Sequence, residues 1–137
     1  MDMKNPSDQR IKEILDTKKR IAVVGLSDNP DRTSYMVTQA MQDAGYKIVP
    51  INPNVEHVLG EKSYRSISDL DVEVDMVNIF RRSEFLPELA KETVEAGIPI
   101  FWTQLGVVDE GAYDYLQEHN VETVMDRCIK VEHAKFK

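Results

Sequence analysis

The stretch Arg20-Ile21-Ala22-Val23-Val24-Gly25-Leu26-Ser27-Asp28-Asn29-Pro30-Asp31-Arg32-Thr33-Ser34-Tyr35 runs from an apolar strand, through one glycine and a polar turn, into an amphipathic helix. In α/β proteins this junction holds phosphate, because the first helical turn carries unpaired backbone N–H groups and the positive end of the helix dipole. Ser27, Arg32 and Ser34 add side-chain donors to the same corner. The glycine pattern narrows the ligand. A dinucleotide fingerprint places glycines two and five residues after the first, and those positions here hold Ser27 and Pro30. The expected ligand is a phosphorylated nucleotide other than NAD.

Working outward, strand and helix patterns alternate. Strands are expected at 21–25, 46–51, 74–80, 98–103 and 121–125, each rich in β-branched or aromatic residues and nearly continuous in apolar character, as strands covered on both faces are. Met36, Val37, Ala40, Met41 and Ala44 recur at helical spacing before Gly45. Ser83 is positioned to cap a helix whose apolar stripe is Phe85, Leu86, Leu89, Ala90 and Val94, with Gly97 ending it before Pro99. A last helix is expected over 109–119. The connection after the second strand is poor in helix, with a turn at Leu59-Gly60 and a single helical turn over 66–70. Ahead of the first strand, residues 6–17 form a leading helix that packs on the body of the fold, with Asn5 as its cap and Pro6 at its first position.

Parallel neighbours require crossovers, and crossovers are right-handed. The pattern predicts an α/β fold, a Rossmann-like three-layer sandwich around a five-stranded parallel sheet. The preferred strand order is 3-2-1-4-5, and the flavodoxin-like 2-1-3-4-5 is the rival. A chain of 137 residues suits one domain over 1–137 and buries roughly two thirds of the surface its unfolded form exposes. The single cysteine, Cys128, excludes an intramolecular disulfide. With no charged-then-apolar leader and no apolar run near 18 residues, the expected location is the cytoplasm. A formal charge of −7 argues against broad binding to nucleic acid or to an anionic membrane, so an anionic ligand must meet a local cluster of arginine and lysine.

Ligands of open α/β sheets bind beyond the carboxyl ends of the strands. Those ends read Gly25-Leu26-Ser27, Asn52-Pro53, Phe80-Arg81-Arg82, Gln104-Leu105-Gly106 and Asp126-Arg127-Cys128. Asn52 stands where an NAD site carries an acid for the ribose hydroxyls. NADP is compatible with that neutral residue if Arg81, Arg82, Lys62 or Arg65 supplies a cation. Taken alone, Asn52-Pro53-Asn54 is a turn, and Arg32 is a surface arginine beside Asp28 and Asp31. Arg81-Arg82 follows directly on a buried strand, where adjacent side chains tend to opposite faces, so one at most is expected to reach a pocket while the other meets an acid or solvent. Gln104 before Gly106 marks a sharp turn that brings backbone close to ligand, or else an amide tying loops together. Trp102, Phe101, Met36 and Met41 are expected to be packing residues.

No HxxxH, CxxC or GxSxG spacing occurs, and His57, His119 and His133 are scattered at positions expected to be exposed. Neither a metal nor a catalytic group is expected. Cys128, following Asp126-Arg127 on the rim, reads first as a small packing side chain and second as a thiol that Arg127 can activate.

Taken together, Ile21-Ala22-Val23-Val24-Gly25-Leu26-Ser27, Val49-Pro50-Ile51-Asn52-Pro53, Leu59-Gly60-Glu61, Val77-Asn78-Ile79-Phe80-Arg81-Arg82-Ser83, Trp102-Thr103-Gln104-Leu105-Gly106-Val107 and Val124-Met125-Asp126-Arg127-Cys128 resemble the small CoA-binding-domain proteins. These are similar to the N-terminal nucleotide-binding domain of the succinyl-CoA synthetase α subunit and of ADP-forming acyl-CoA synthetases. The resemblance covers nearly the whole chain. It implies a Rossmann-type fold that binds coenzyme A or an acyl-CoA, with the first-strand loop near the phosphates and the other strand ends along the rest of the molecule. In the large synthetases a phosphorylated histidine and a nucleotide-handling domain carry the chemistry, so the resemblance implies a carrier, sensor or regulatory protein rather than a complete synthetase. The alternative is an NAD(P)-binding oxidoreductase, weakened by the missing fingerprint and proton donor. A third reading is a protein-interaction subunit with an empty rim, and an exposed sheet edge or helix face would allow a homodimer.

Overall fold

The computed structural model describes residues 3–136. Helix α1 (Asp8–Thr17) is capped by Ser7, whose Oγ accepts from the Arg10 N–H at 3.2 Å, and it buries Ile11, Ile14 and Leu15. Asn5, expected as the cap, instead lies beside the last strand. Strand β1 (Arg20–Val24) leads to α2 (Thr33–Asp43), and β2 (Lys47–Ile51) to a short hairpin of β3 (His57–Val58) and β4 (Glu61–Lys62). The turn of that hairpin is Leu59-Gly60, both at positive φ, as a two-residue hairpin loop requires. The expected single helical turn over 66–70 is a 3-10 turn at Ile67–Asp69. Then follow β5 (Met76–Ile79), α3 (Leu86–Glu95), β6 (Ile100–Thr103), α4 (Glu110–Glu118), β7 (Glu122–Val124) and α5 (Ile129–Lys135). Asp109 caps α4 by accepting from the Ala112 N–H at 2.8 Å.

The main sheet is parallel, in the order β2-β1-β5-β6-β7. Residues Ile21 to Val24 pair with Ile48 to Ile51 on one side and Met76 to Ile79 on the other. Outside β2, Tyr64 makes a single parallel bridge to Ile51. Counting that bridge as the third position, the order is 3-2-1-4-5-6, which contains the 3-2-1-4-5 arrangement, with its switch point beside β1. The assignment of strands to positions differs from expectation: the third full strand, β5, lies next to β1, and among full strands alone the order reads 2-1-3-4-5. The reason is local. The chain after β2 spends its length on the hairpin and 3-10 turn, so only Tyr64 reaches the outer edge.

Alternation along each strand divides the core into two layers. Ala22, Val24, Val77, Ile79 and Phe101 face α3, α4 and the 3-10 turn, whereas Ile21, Val23, Met76, Ile100 and Trp102 face α1, α2 and α5. Phe101 and Trp102 are fully buried, one in each layer. Helix α5 has no counterpart in the expected pattern, which leaves the residues after 128 as a tail. It places His133 half-buried, edge-on to Tyr46, rather than exposed.

The β7 edge is closed by the N-terminal segment. Arg10 binds the Glu122 carboxylate with two N–H groups at 2.8 and 2.7 Å, a bidentate pair. The Asn5 amide both donates to the Met125 carbonyl and accepts from its N–H, each at 2.8 Å, standing in for a further strand.

Tyr46 is nearly fully buried in the α1 layer and donates its hydroxyl to the Leu15 carbonyl. Burial, reinforced by the Asp16 carboxylate, pushes its phenol up to about 12 from 10. Because the folded value is raised, the associated stability is full below pH 10 and is lost as pH climbs from 10 to 12. Tyr46→Phe should cost about 1 kcal/mol near neutrality, and urea denaturation above pH 10 should show a shallower alkaline decline for the variant than for the wild type.

Candidate functional site

The site begins where β1 and β5 end side by side. The Phe80 N–H donates to the Val24 carbonyl at 2.8 Å, extending the ladder by one bond, and the Gly25 N–H donates to the Ile51 carbonyl at 2.9 Å. At Gly25 the chain turns with φ +82°, and an added Cβ would stand 2.5 Å from the Phe80 carbonyl oxygen. No other residue fits, on both steric and torsional grounds. Two cavities meet at this glycine.

The first, of about 520 Å³, lies between the loop after β2, the 3-10 turn and α3. Val24, Ile51, Ile67 and Leu89 supply apolar lining, and Asn52, Pro53, Arg65, Arg81, Glu88 and Glu92 supply polar and loop walls. Arg81 lies 4.0 Å over the Phe85 ring, which holds its guanidinium against the cavity wall. Arg82 turns to solvent, although its guanidinium also lies 5.7 Å from the centroid of the Phe85 ring. It is 80% exposed, pairs with Glu84 at 3.2 Å and does not line either cavity. Asn52 is a tie between loops: its Nδ2 donates to the Leu26 carbonyl at 2.9 Å, its Oδ1 accepts from the Asn54 N–H at 2.9 Å, and its own N–H donates to the Tyr64 carbonyl at 2.8 Å. Leu26 itself is fully buried in the core, so it contributes backbone to the site and no side chain.

The second cavity, of about 620 Å³, opens at the N-terminus of α2. Ser27, Asp31, Arg32, Thr33 and Ser34 form one end, and Phe80, Gln104, Leu105, Val107 and Cys128 the other. The Ser27 N–H donates to Ser34 Oγ, and Ser27 Oγ accepts from the Asn29 N–H, each at 3.0 Å, so the loop is already folded around its helix. Arg32 occupies the N-cap position without a side-chain capping bond. The first-turn amides therefore face the cavity with their dipole uncompensated by a capping side chain. Gln104 is buried, donating Nε2 to Asn78 Oδ1 at 2.5 Å. Gly106 lies outside both cavities and donates its N–H to Asp126 Oδ1 at 2.6 Å. Cys128 is half-buried at the cavity wall, ahead of α5.

Ser83, expected to cap α3, instead opens a 3-10 turn and accepts from the Val108 N–H at 3.0 Å, tying the third rim loop to the fourth. Among the residues that sequence reasoning left out of the site are Phe85, Glu88 and Glu92, which recur at helical spacing beside the first cavity, and Asp31, Thr33, Leu105 and Val107 in the second. Arg65 figured only as a cation for a different cofactor. Among the described residues no group of three or more His, Cys, Asp or Glu side chains is arranged to hold a metal ion, and no helix is long and apolar enough to cross a membrane.

A parallel sheet whose first strand ends on a tight glycine, with a helix N-terminus and arginines above the switch point, is the arrangement of the Rossmann-like class, whose members hold nucleotides at that point. The family can be stated more closely. Residues 19–134 match the model of the CoA binding domain, and the chain belongs to that family. An uncharacterized protein of Bacillus subtilis (strain 168), YneT, is 56% identical over 98% of this chain and 100% of its own length. The ADP-forming acetate–CoA ligase II of Archaeoglobus fulgidus is 34% identical over 58% of this chain, a match that spans 12% of the ligase. The solved structure of a hypothetical protein from Pyrococcus horikoshii OT3 superposes with a TM-score of 0.92 at 30% identity, covering 99% of both chains.

Gly25→Ala should destabilise the fold by at least about 2 kcal/mol, since it adds left-handed backbone strain to a contact of 2.5 Å with backbone that cannot swing aside. Urea denaturation at neutral pH measures it.

Proposed function

We propose that the protein binds coenzyme A across the carboxyl ends of its strands and serves as a carrier, sensor or regulatory partner. The single observation that carries this reading is the pair of cavities joined at Gly25 within a chain of the CoA-binding-domain family. Coenzyme A has an anionic middle, a nucleoside at one end and a long neutral arm at the other, and the crevice has parts suited to each. The pyrophosphate lies over Gly25 against the first-turn amides of α2, with Arg32, Ser27 and Ser34 beside it. The adenosine and its 3′-phosphate occupy the first cavity, where Arg65 and Arg81 are the available cations and the Arg81–Phe85 pair offers a face to the base. The arm runs through the second cavity past Phe80 and Gln104 toward Cys128.

Local cations are needed because the whole chain repels anions, with a formal charge of −7. Attraction must come from groups within a few ångströms of the phosphates, where screening is least effective. This makes the binding sensitive to individual arginines rather than to the average field.

Calorimetric titration of the full chain with CoA, dephospho-CoA, NAD and NADP tests the reading. CoA should bind tightest. Dephospho-CoA should bind about 10- to 100-fold more weakly, the scale of a charged hydrogen bond, and Arg81→Ala should shrink that difference. Tighter binding of NAD or NADP than of CoA would overturn the proposal.

A further inference from the structure

At the far end of the second cavity, Leu105 and Val107 have no role in the binding of free CoA as placed above. Leu105 is 73% exposed, the most exposed large apolar side chain among the described residues. It is not on a loose loop. The Val107 N–H donates to the Gln104 carbonyl at 3.0 Å, Thr103 Oγ1 donates to the Val107 carbonyl at 2.5 Å, and the Gly106 N–H is held by Asp126. The turn therefore presents leucine to water at the mouth of the cavity in a fixed position, with Phe80, Val107 and Cys128 also on the wall. Charged lining residues, Asp31 and Arg32, belong to the α2 end.

Beside Leu105, Gln104 is 7% exposed and yet lines the cavity. One hydrogen of its Nε2 is committed to Asn78 Oδ1, and its Oε1 receives only a long 3.4 Å contact from the Ile129 N–H. An amide carries two N–H donors. Among the hydrogen bonds of the described residues the second N–H has no acceptor, which leaves it available to a carbonyl that enters the cavity. Gln104 directly follows β6, two strand spacings or about 10 Å from the end of β1, so a carbonyl there belongs to the distal part of a ligand whose phosphates sit at Gly25.

Resting on the CoA reading, we propose that this end of the cavity is an acyl-thioester site, and that the favoured ligand is a short-chain acyl-CoA rather than free CoA. The thioester carbonyl accepts from Gln104 Nε2, and the acyl chain lies between Leu105 and the wall formed by Phe80, Val107 and Cys128. Covering Leu105 with the acyl chain removes apolar surface from water on both partners.

The test is the ratio of CoA to butyryl-CoA dissociation constants, measured by calorimetry on the full chain. Each methylene buried strengthens binding about fourfold, so butyryl-CoA should bind more than about fivefold tighter than CoA, with acetyl-CoA in between. Leu105→Ser, at an exposed turn position that leaves the core intact, should cut that ratio at least about threefold, and Cys128→Phe, which fills the wall, should do the same. A wild-type ratio below about fivefold overturns the inference while leaving CoA binding standing. A ratio unchanged in Leu105→Ser overturns the assignment to this end of the cavity. Failure of the wild type to bind CoA and every acyl-CoA overturns the CoA reading itself, and the inference with it.

Discussion

The contact between Gly25 and the Phe80 carbonyl organises this molecule. Two parallel strands, β1 and β5, keep their ladder to its last bond and then separate in opposite directions, β1 into α2 on one face and β5 toward α3 on the other. Their backbones can stay that close only because position 25 has no side chain, with 2.5 Å where a Cβ would meet oxygen. The separation opens a crevice, and its two arms are the two cavities. A larger residue would force the strands apart below the rim and close the place where the helix N-terminus meets the sheet.

Around that contact the rim is held by polar ties more than by apolar packing. Asn52 links the second strand end to Leu26 and Tyr64, Ser34 links α2 to the loop before it, and Ser83 links the third rim loop to Val108. Beneath them the buried Gln104–Asn78 pair joins β6 to β5. Each tie orders a loop before any ligand arrives, so less conformational entropy is lost on binding. The arginines stand in the same preset frame, with Arg81 laid on Phe85 and Arg32 at the head of α2.

Much of this is legible in the residues. The apolar run from Ile21 to Val24, the break at Gly25 and the helical spacing of Val37 and Met41 all report local rules of period and capping, and the structure has β1 and α2 there. Of the adjacent pair Arg81 and Arg82, which follows β5, one lines a cavity and the other is exposed and paired with Glu84. The position of β5 beside β1 was less accessible, because order in a sheet is a long-range choice among crossovers of similar local cost. Asn5 illustrates the same limit: as sequence it is an ordinary helix cap, and it becomes an edge-closing amide only because β7 ends beside it. The first cavity was half visible, since Phe85 reads as part of an apolar stripe and Glu88 and Glu92 as solvated charge until α3 is docked.

The sequence by itself determined the alternating α/β pattern, the parallel sheet and the strand–glycine–helix corner after the first strand, because each depends on residues within a turn or two of one another. Only the tertiary structure decided which strand adjoins β1, that Arg81 rather than Arg82 lines the crevice, and that Gln104 and Leu105 stand together at one end of it. Those outcomes depend on which distant segments share a face of the sheet, and that is settled by burying two apolar layers at once.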